Sequence, residues 1–156
     1  MQGKGKAVCL PADIDTDLVI AGRYLRTKDR SIWVQHVFED YDAALAPKLK
    51  GSVIVAGKNF GCGSSREQAA IALREAGVVA VVAPSFARIF FRNAINVGLP
   101  LIEADVACPE GRTVSFDLSA GWVDAGTGRK QVAPLSLKML SILKAGGLVK
   151  YWKVKR

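Results

Sequence analysis

The chain has 156 residues, of which half are hydrophobic, and it carries a formal net charge of +8 with a single histidine. This length suits one domain with a substantial core, and no apolar run approaches the ~20 residues of a membrane span, so we expect one domain over residues 1–156 and a cytoplasmic protein with no membrane partner. Three widely spaced cysteines exclude a disulfide framework and any metal or iron-sulfur site held by this chain alone.

The positive charge is compatible with two kinds of partner, nucleic acid or small polycarboxylates together with an acidic protein. Lysine and arginine are scattered through the chain, and no RNA-recognition signature with interleaved aromatics is present. A basic RNA-binding module is kept as the non-enzyme alternative, but we expect no nucleic-acid partner. The modest basic cluster at residues 150–156 is predicted to be a solvated end.

The first half of the chain predicts alternating strands and helices. A short strand at 7–10 is followed by a loop at 13–25 that leads into a helical turn, and residues 31–50 are predicted to be mainly helical. Two buried strands, 52–56 and 78–83, flank a helix at 66–76. This alternation predicts a parallel βαβ core.

The second half begins with a helix that Ser85 is expected to cap. Its apolar face is predicted to contain Phe86, Ile89, Phe90, Asn93 and Val97, with Arg88 and Arg92 together on another face. A strand at 112–118 is expected to pair with 121–125, and a last helix at 134–145 is expected to end at two glycines. The predicted fold class is α/β with a mixed, largely parallel sheet.

The glycine-rich turn at residues 57–67 (GKNFGCGSSRE) joins the strand at 52–56 to the following helix. Ser64 and Ser65 are predicted at the helix N-cap, where unpaired backbone N–H groups attract carboxylate or phosphate. Arg66 can hold a carboxylate through two parallel hydrogen bonds. A structural serine cap would explain one serine, but not three glycines, two serines and an arginine in one turn. The turn therefore predicts an anion site with a reactive hydroxyl.

Several segments together resemble the small subunit of the aconitase superfamily hydro-lyases, in particular the small subunits of 3-isopropylmalate dehydratase and homoaconitase. The matching segments, in order along nearly the whole chain, are 13–17 (DIDTD), 22–25 (GRYL), 59–67 (NFGCGSSRE), 85–89 (SFARI), 92–100 (RNAINVGLP) and 145–148 (AGGL). The resemblance implies a compact β/β/α domain that swivels over a separate large subunit. It also implies a reversible dehydration and rehydration of a hydroxy di- or tricarboxylate.

The resemblance further implies roles for individual residues. Ser64 corresponds to the catalytic base, Ser65 and Arg66 to binders of a substrate carboxylate, and Asp17 to an active-site aspartate that orients other polar groups. The implied cofactor is a [4Fe-4S] cluster, held by cysteines of the large subunit and not by this chain. The implied assembly is a heterodimer or heterotetramer, in which this chain alone is inactive.

The family reads the variable substituent of its substrate with the loop after Leu25, where Arg26 and Thr27 stand in this chain. Arg26 resembles the homoaconitase version and could pair with a further carboxylate, a contact of roughly 1.5–3 kcal/mol. Isopropylmalate and homoaconitate are therefore both kept as substrates, with 2,3-dimethylmalate and citramalate as alternatives. The family often has histidine where this chain has Gln68, which puts one supporting contact in doubt.

Two other classes of protein, serine hydrolases and P-loop nucleotide-binding proteins, do not fit the sequence. A serine hydrolase needs a base oriented by an acid, whereas the sole histidine, His36, is predicted to be a packing residue. A P-loop fails because the segment at 51–59 has one residue too many between its glycines and lacks the terminal Ser or Thr.

Overall fold

The computed structural model describes all 156 residues, Met1 to Arg156. Seven strands form one sheet in the order β4-β3-β2-β1-β5-β6-β7. The strands are β1 (Gln2–Leu10), β2 (Ser52–Ala56), β3 (Ala80–Ala83), β4 (Leu101–Glu103), β5 (Thr113–Asp117), β6 (Trp122–Asp124) and β7 (Arg129–Gln131). The helices are α1 (Thr16–Val19), α2 (Arg30–Gln35), α3 (Glu39–Asp42), α4 (Glu67–Glu75), α5 (Arg88–Val97), α6 (Leu137–Ala145) and α7 (Leu148–Val154). Two 3₁₀ turns cover Gly22–Tyr24 and Ala46–Lys48.

The predicted mixed α/β class and its parallel βαβ core are confirmed. Strands β1 to β4 pair in parallel, whereas β1 with β5, β5 with β6, and β6 with β7 pair antiparallel. Strand β1 is longer than predicted because its first half pairs with β5 and its second half with β2. Strand β1 thereby joins the parallel part of the sheet to the antiparallel part, and each part contains three strand pairings.

Each face of the sheet packs against helices and forms its own hydrophobic core. Successive residues of a strand point to opposite faces, so neighbours in sequence belong to different cores. Val8, Ile54 and Val81 belong to a core that also contains residues of α1, α2, α4 and α5. Val53 and Val82, the neighbours of Ile54 and Val81, belong to a second core that contains residues of α6. None of the helices is long and apolar enough to cross a membrane.

Several elements differ from the sequence prediction. Residues 31–50 form short helical segments instead of one mainly continuous helix, and β4, β7 and α7 were not predicted. The end at 150–156 is solvated as predicted, with only Tyr151 partly buried, but most of it belongs to the unpredicted helix α7. This helix begins directly after Gly147 and leaves Val149, Trp152 and Val154 exposed.

The start of α5 was also predicted wrongly. Its N-cap is Ala87, not Ser85, because the Ser85 hydroxyl instead accepts a hydrogen bond from the Asn59 backbone N–H at 2.9 Å. The helix buries Phe90, Ala94 and Ile95, whereas Ile89, predicted on the apolar face, is 51% exposed and is not a core residue.

Candidate active site

The loops after the carboxyl ends of β1, β2 and β3 meet at one edge of the sheet, the position at which open α/β sheets bind ligands. The glycine-rich turn lies between the other two loops. On one side the Gly61 N–H donates to the Ile14 carbonyl at 2.8 Å, and the Thr16 N–H donates to the Cys62 carbonyl at 2.9 Å. On the other side the Phe60 N–H donates to the Ser85 carbonyl at 3.1 Å. Backbone hydrogen bonds thus fix the turn from both sides.

Two glycines allow the turn to pack this closely. Gly61 has φ +84°, and a Cβ there would overlap the ring of Phe90. Gly63 has φ +92°, and a Cβ there would lie 2.6 Å from the Cγ of Asp15. Both positions combine a left-handed backbone with no room for a side chain, so only glycine fits without strain.

Ser64 and Ser65 are exposed near the end of this turn. The prediction that they form the helix N-cap is wrong. Helix α4 begins at Glu67, and its N-cap residue is Arg66. The reason is a tight local turn in which the Arg66 N–H donates to the Ser64 carbonyl at 2.9 Å. The Ser64 hydroxyl is therefore not used in capping, and the Ser64 backbone is held by the buried Thr16, whose hydroxyl donates to the Ser64 carbonyl at 2.9 Å.

Arg66 is held beside the two serines by an ion pair with Asp17 Oδ1. The same nitrogen, Nη1, is buried, and the Asp17 carboxylate is its only ion-pair partner. The guanidinium also lies close to Gly22, where a Cβ would be 3.6 Å from Nη1 and Nη2. The structure therefore brings Asp17 and Arg66 together with Ser64 and Ser65.

Ser64, Ser65 and Arg66, but not Asp17, border a cavity of about 270 Å³. Its lining contains no acidic side chain and comprises Thr16, Gly61, Gly63, Ser64, Ser65, Arg66, Ala87, Arg88, Ile89, Phe90 and Asn93. Helices α4 and α5 both start at this cavity, and neither N-cap residue makes a side-chain capping bond. Two uncapped helix N-termini and two guanidinium groups favour an anionic ligand.

Three polar or charged residues of this cavity, Thr16, Arg88 and Asn93, are not among the site residues that the sequence predicts. Thr16 stands between two aspartates in a predicted loop, whereas the predicted helix places Asn93 on its apolar face and Arg88 on another face. A short polar side chain at an otherwise apolar helix position was the only available signal for Asn93. Gln68 is half-buried and does not line the cavity.

The predicted specificity loop lies next to the site but not in the cavity. Arg26 is exposed and Thr27 accepts a hydrogen bond from the Asp29 N–H at 3.0 Å, and neither residue lines the cavity. The preceding 3₁₀ turn is anchored by Arg23, which forms ion pairs with Glu39 at 2.9 Å and Asp40 at 2.6 Å. The Arg23 guanidinium holds the pKa of the Asp40 carboxyl below its usual value.

His36 is a packing residue, as predicted. Its ring stacks on Tyr24 with centroids 4.1 Å apart, and its Nδ1 lies 3.0 Å from a Glu39 oxygen. The Tyr24 hydroxyl donates to the same carboxylate, which is the main cause of the lowered pKa of Glu39. These contacts position the loop from its outer side and leave His36 without a catalytic partner in the cavity.

The cysteines of this chain do not form a cluster-binding set. Cys62 lies in the glycine-rich turn, whereas Cys9 and Cys108 lie together elsewhere, with the Cys9 Sγ 3.1 Å from the Cys108 carbonyl. Burial, followed by the nearby Asp15 and Asp13 carboxylates, raises the pKa of the Cys62 thiol, so this thiol is protonated at neutral pH. No group of three or more His, Cys, Asp or Glu side chains is arranged to hold a metal ion.

Comparison with known proteins gives consistent results. Residues 12–105 match the model of the Aconitase C-terminal domain. The chain is 51% identical over 143 residues to the methanogen homoaconitase small subunit of Methanothermobacter thermautotrophicus, covering 90% of this chain and 84% of that protein. It is also 51% identical over 158 residues to the 3-isopropylmalate dehydratase small subunit of Pyrobaculum neutrophilum, covering 98% of both. The crystal structure of 3-isopropylmalate dehydratase from Methanocaldococcus jannaschii superposes with a TM-score of 0.90 at 46% identity, over 99% of this chain and 95% of that one.

Proposed function

This chain belongs to the aconitase C-terminal domain family, and we propose that it works as the small subunit of a two-subunit hydro-lyase. The complex interconverts hydroxy di- or tricarboxylates by removing water and adding it back at the neighbouring carbon. The single observation that carries this proposal is the cavity where Ser64, Ser65 and Arg66 meet two uncapped helix N-termini. We expect the complex to be a cytoplasmic heterodimer or heterotetramer, with residues 1–156 acting as one swivelling domain.

Ser64 is the base in this proposal. Taking a proton from the carbon next to a carboxylate requires a strong base, and a serine alkoxide becomes available only where positive charge stabilises it. The exposed Ser64 hydroxyl borders the cavity, next to Arg66 and the first N–H groups of α4. The Ser64 alkoxide accepts the proton, and the carbon–oxygen bond of the leaving hydroxyl breaks as the carbon–carbon double bond forms. The leaving hydroxide takes its proton from an acid of the large subunit and departs as water.

Ser65 and Arg66 bind a substrate carboxylate, and Asp17 orients Arg66. The ion pair with Asp17 fixes one end of the guanidinium, while Ser65 lies exposed on the cavity side. A guanidinium in a fixed position can donate two parallel hydrogen bonds to a carboxylate. This arrangement supports an orienting role for Asp17 and a binding role for Arg66.

The residues of this chain do not fit a [4Fe-4S] cluster, so we assign the cluster to the large subunit. Bound iron would supply a Lewis acid for the departing hydroxyl. The role of this chain in the complex is to provide the base and the carboxylate-binding groups of a site that the large subunit completes.

Substitution of Ser64 tests this function. We expect the anaerobically reconstituted complex of this chain and its large subunit to hydrate isopropylmaleate or cis-homoaconitate, and Ser64→Ala to lower kcat by about 100-fold or more. Ser141→Ala, which changes an exposed serine of α6, is the matched control and should retain full activity. Wild-type activity in Ser64→Ala would overturn the mechanism, and no turnover of any hydroxyacid of this class by the wild-type complex would overturn the function.

The choice of substrate is assigned to Arg26 and Thr27. Arg26 is exposed and forms none of the ion pairs within the chain, which leaves it free to meet a terminal carboxylate when the complex closes. With homoaconitate as substrate, Arg26→Val should raise KM by about tenfold or more while Lys28→Val has no such effect. If the complex instead prefers isopropylmaleate and Arg26→Val leaves its KM unchanged, the proposal that Arg26 reads a carboxylate fails.

A further inference from the structure

Helix α5 supplies a second guanidinium to the cavity, and the proposed function has not used it. Arg66 and Arg88 are the only charged residues among the lining residues. Arg88 is the first residue of α5, directly after the uncapped Ala87. It therefore adds its positive charge to that of the helix N-terminus at the cavity.

The two guanidiniums differ in how far their charge is already neutralised. Arg66 forms an ion pair with Asp17, whereas none of the ion pairs within the chain includes Arg88. Arg88 is also exposed. The cavity thus has one cation held in place by a carboxylate and a second one that remains available for a ligand.

We propose that Arg88 binds a second carboxylate of the substrate, separately from the carboxylate at Arg66. This inference rests on the proposed function. A dicarboxylate bound in this way would have one carboxylate at Ser65 and Arg66 and the other at Arg88 and the first N–H groups of α5, in the cavity that Ser64 also lines. Arg88 is then a specificity-determining residue that requires two carboxylates on the substrate.

Arg92 provides a matched control on the same helix. It lies one turn after Arg88, it is also exposed, and it does not line the cavity. Replacing either arginine by glutamine removes one positive charge from an exposed position of α5. Any difference between the two variants therefore reports on the cavity and not on the net charge of the protein.

The test uses the reconstituted complex with its preferred unsaturated acid. Arg88→Gln should raise KM by about ten- to a hundredfold with kcat much less affected, Arg88→Lys should restore part of the loss, and Arg92→Gln should behave as wild type. Inhibition by succinate and by its monoamide, succinamate, gives the second readout. The wild-type preference for the dicarboxylate should fall by about tenfold in Arg88→Gln, an effect that a merely structural role would not produce.

Three outcomes overturn the proposal. An unchanged KM and an unchanged succinate preference in Arg88→Gln, with an active wild-type complex, would refute the role of Arg88 and leave the proposed function intact. Weaker association of the two subunits with an unchanged inhibitor preference would show that Arg88 contacts the large subunit instead. A wild-type complex that turns over no hydroxyacid of this class would refute the proposed function and the role of Arg88 with it.

Discussion

Individual residues of the site are held in place by neighbours that do not line the cavity themselves. The clearest case is Arg66, which lies between Asp17 and the backbone of Gly22. The Asp17 side chain is 59% exposed, so the ion pair contributes little to stability. Its value lies in fixing the direction in which the guanidinium points.

Replacing Asp17 by asparagine should therefore affect activity more than stability. We expect kcat/KM of the complex to fall by ~10–100-fold because Arg66 loses its fixed position. The free energy of unfolding should change by less than about 1 kcal/mol. Glu75→Gln, which breaks the exposed ion pair of Glu75 with Arg30, is the control and should leave kcat/KM unchanged. Equal activity of the two variants would contradict the orienting role of Asp17.

Gly61 allows a second prediction at this scale. Gly61→Ala requires a left-handed backbone at a residue with a Cβ, costing about 1–2 kcal/mol, and pushes that Cβ into the ring of Phe90, costing about 1–3 kcal/mol more. Gly51→Ala is matched, because Gly51 has φ +75° and open space around it, so only the backbone cost applies. Urea unfolding of both variants measures the difference. Equal destabilisation would mean that the contact with Phe90 imposes no constraint.

Secondary-structure elements show why the fold was partly predictable. Strands β2 and β3 are fully buried and consist almost entirely of valine, isoleucine and alanine, a pattern that identifies them from sequence. Strand β7 has only the exposed residues Arg129, Lys130 and Gln131, and it exists because its backbone pairs with β6. No side-chain pattern in the sequence could have indicated it.

The site was predictable to a similar extent. The segment 59–67 indicated the correct turn, because closely spaced glycines and serines between a strand and a helix have few structural explanations. The position of the helix start was not predictable, because it depends on the hydrogen bond from the Arg66 N–H to the Ser64 carbonyl. The contact of Thr16 with Ser64 depends on the way two distant loops meet at the sheet edge.

The β5–β6 hairpin provides a prediction about pH. The Asp117 carboxylate accepts hydrogen bonds from the Ala120 N–H, from the Gln2 side-chain amide and from the Ser119 N–H, which lower the pKa of Asp117 from 3.8 to about 2. A carboxyl whose pKa is lower in the folded state stabilises the fold above its unfolded pKa, and this stability is lost as pH falls from 3.8 towards 2.

Asp117→Asn should therefore flatten the dependence of Tm on pH in this range. Thermal unfolding between pH 5 and pH 2, followed by circular dichroism, measures the effect. Glu103→Gln removes the same charge from an exposed strand end and is the control. If the two variants and the wild type show the same slope between pH 3.8 and 2, Asp117 does not contribute in the proposed way.

At the scale of the whole molecule, the candidate site contains only some of the groups that the proposed reaction needs. Ser64 and Ser65 are exposed, the cavity is lined by cationic and neutral groups only, and no side-chain set for a metal is present. A base and carboxylate-binding groups without an acid for the leaving hydroxyl can carry out only part of a dehydration. The proposal assigns the missing part to a large subunit, and the small-subunit names of the relatives agree with it.

The most direct test is a titration of this chain into a fixed amount of the cluster-loaded large subunit, with hydration of isopropylmaleate and cis-homoaconitate followed by absorbance. We predict no turnover by either chain alone and a rate that rises with added chain until it saturates at equal molar amounts. Ser64→Ala should reach the same saturation point in a binding assay while giving little turnover. Full turnover by the large subunit alone, unaffected by this chain, would contradict the account.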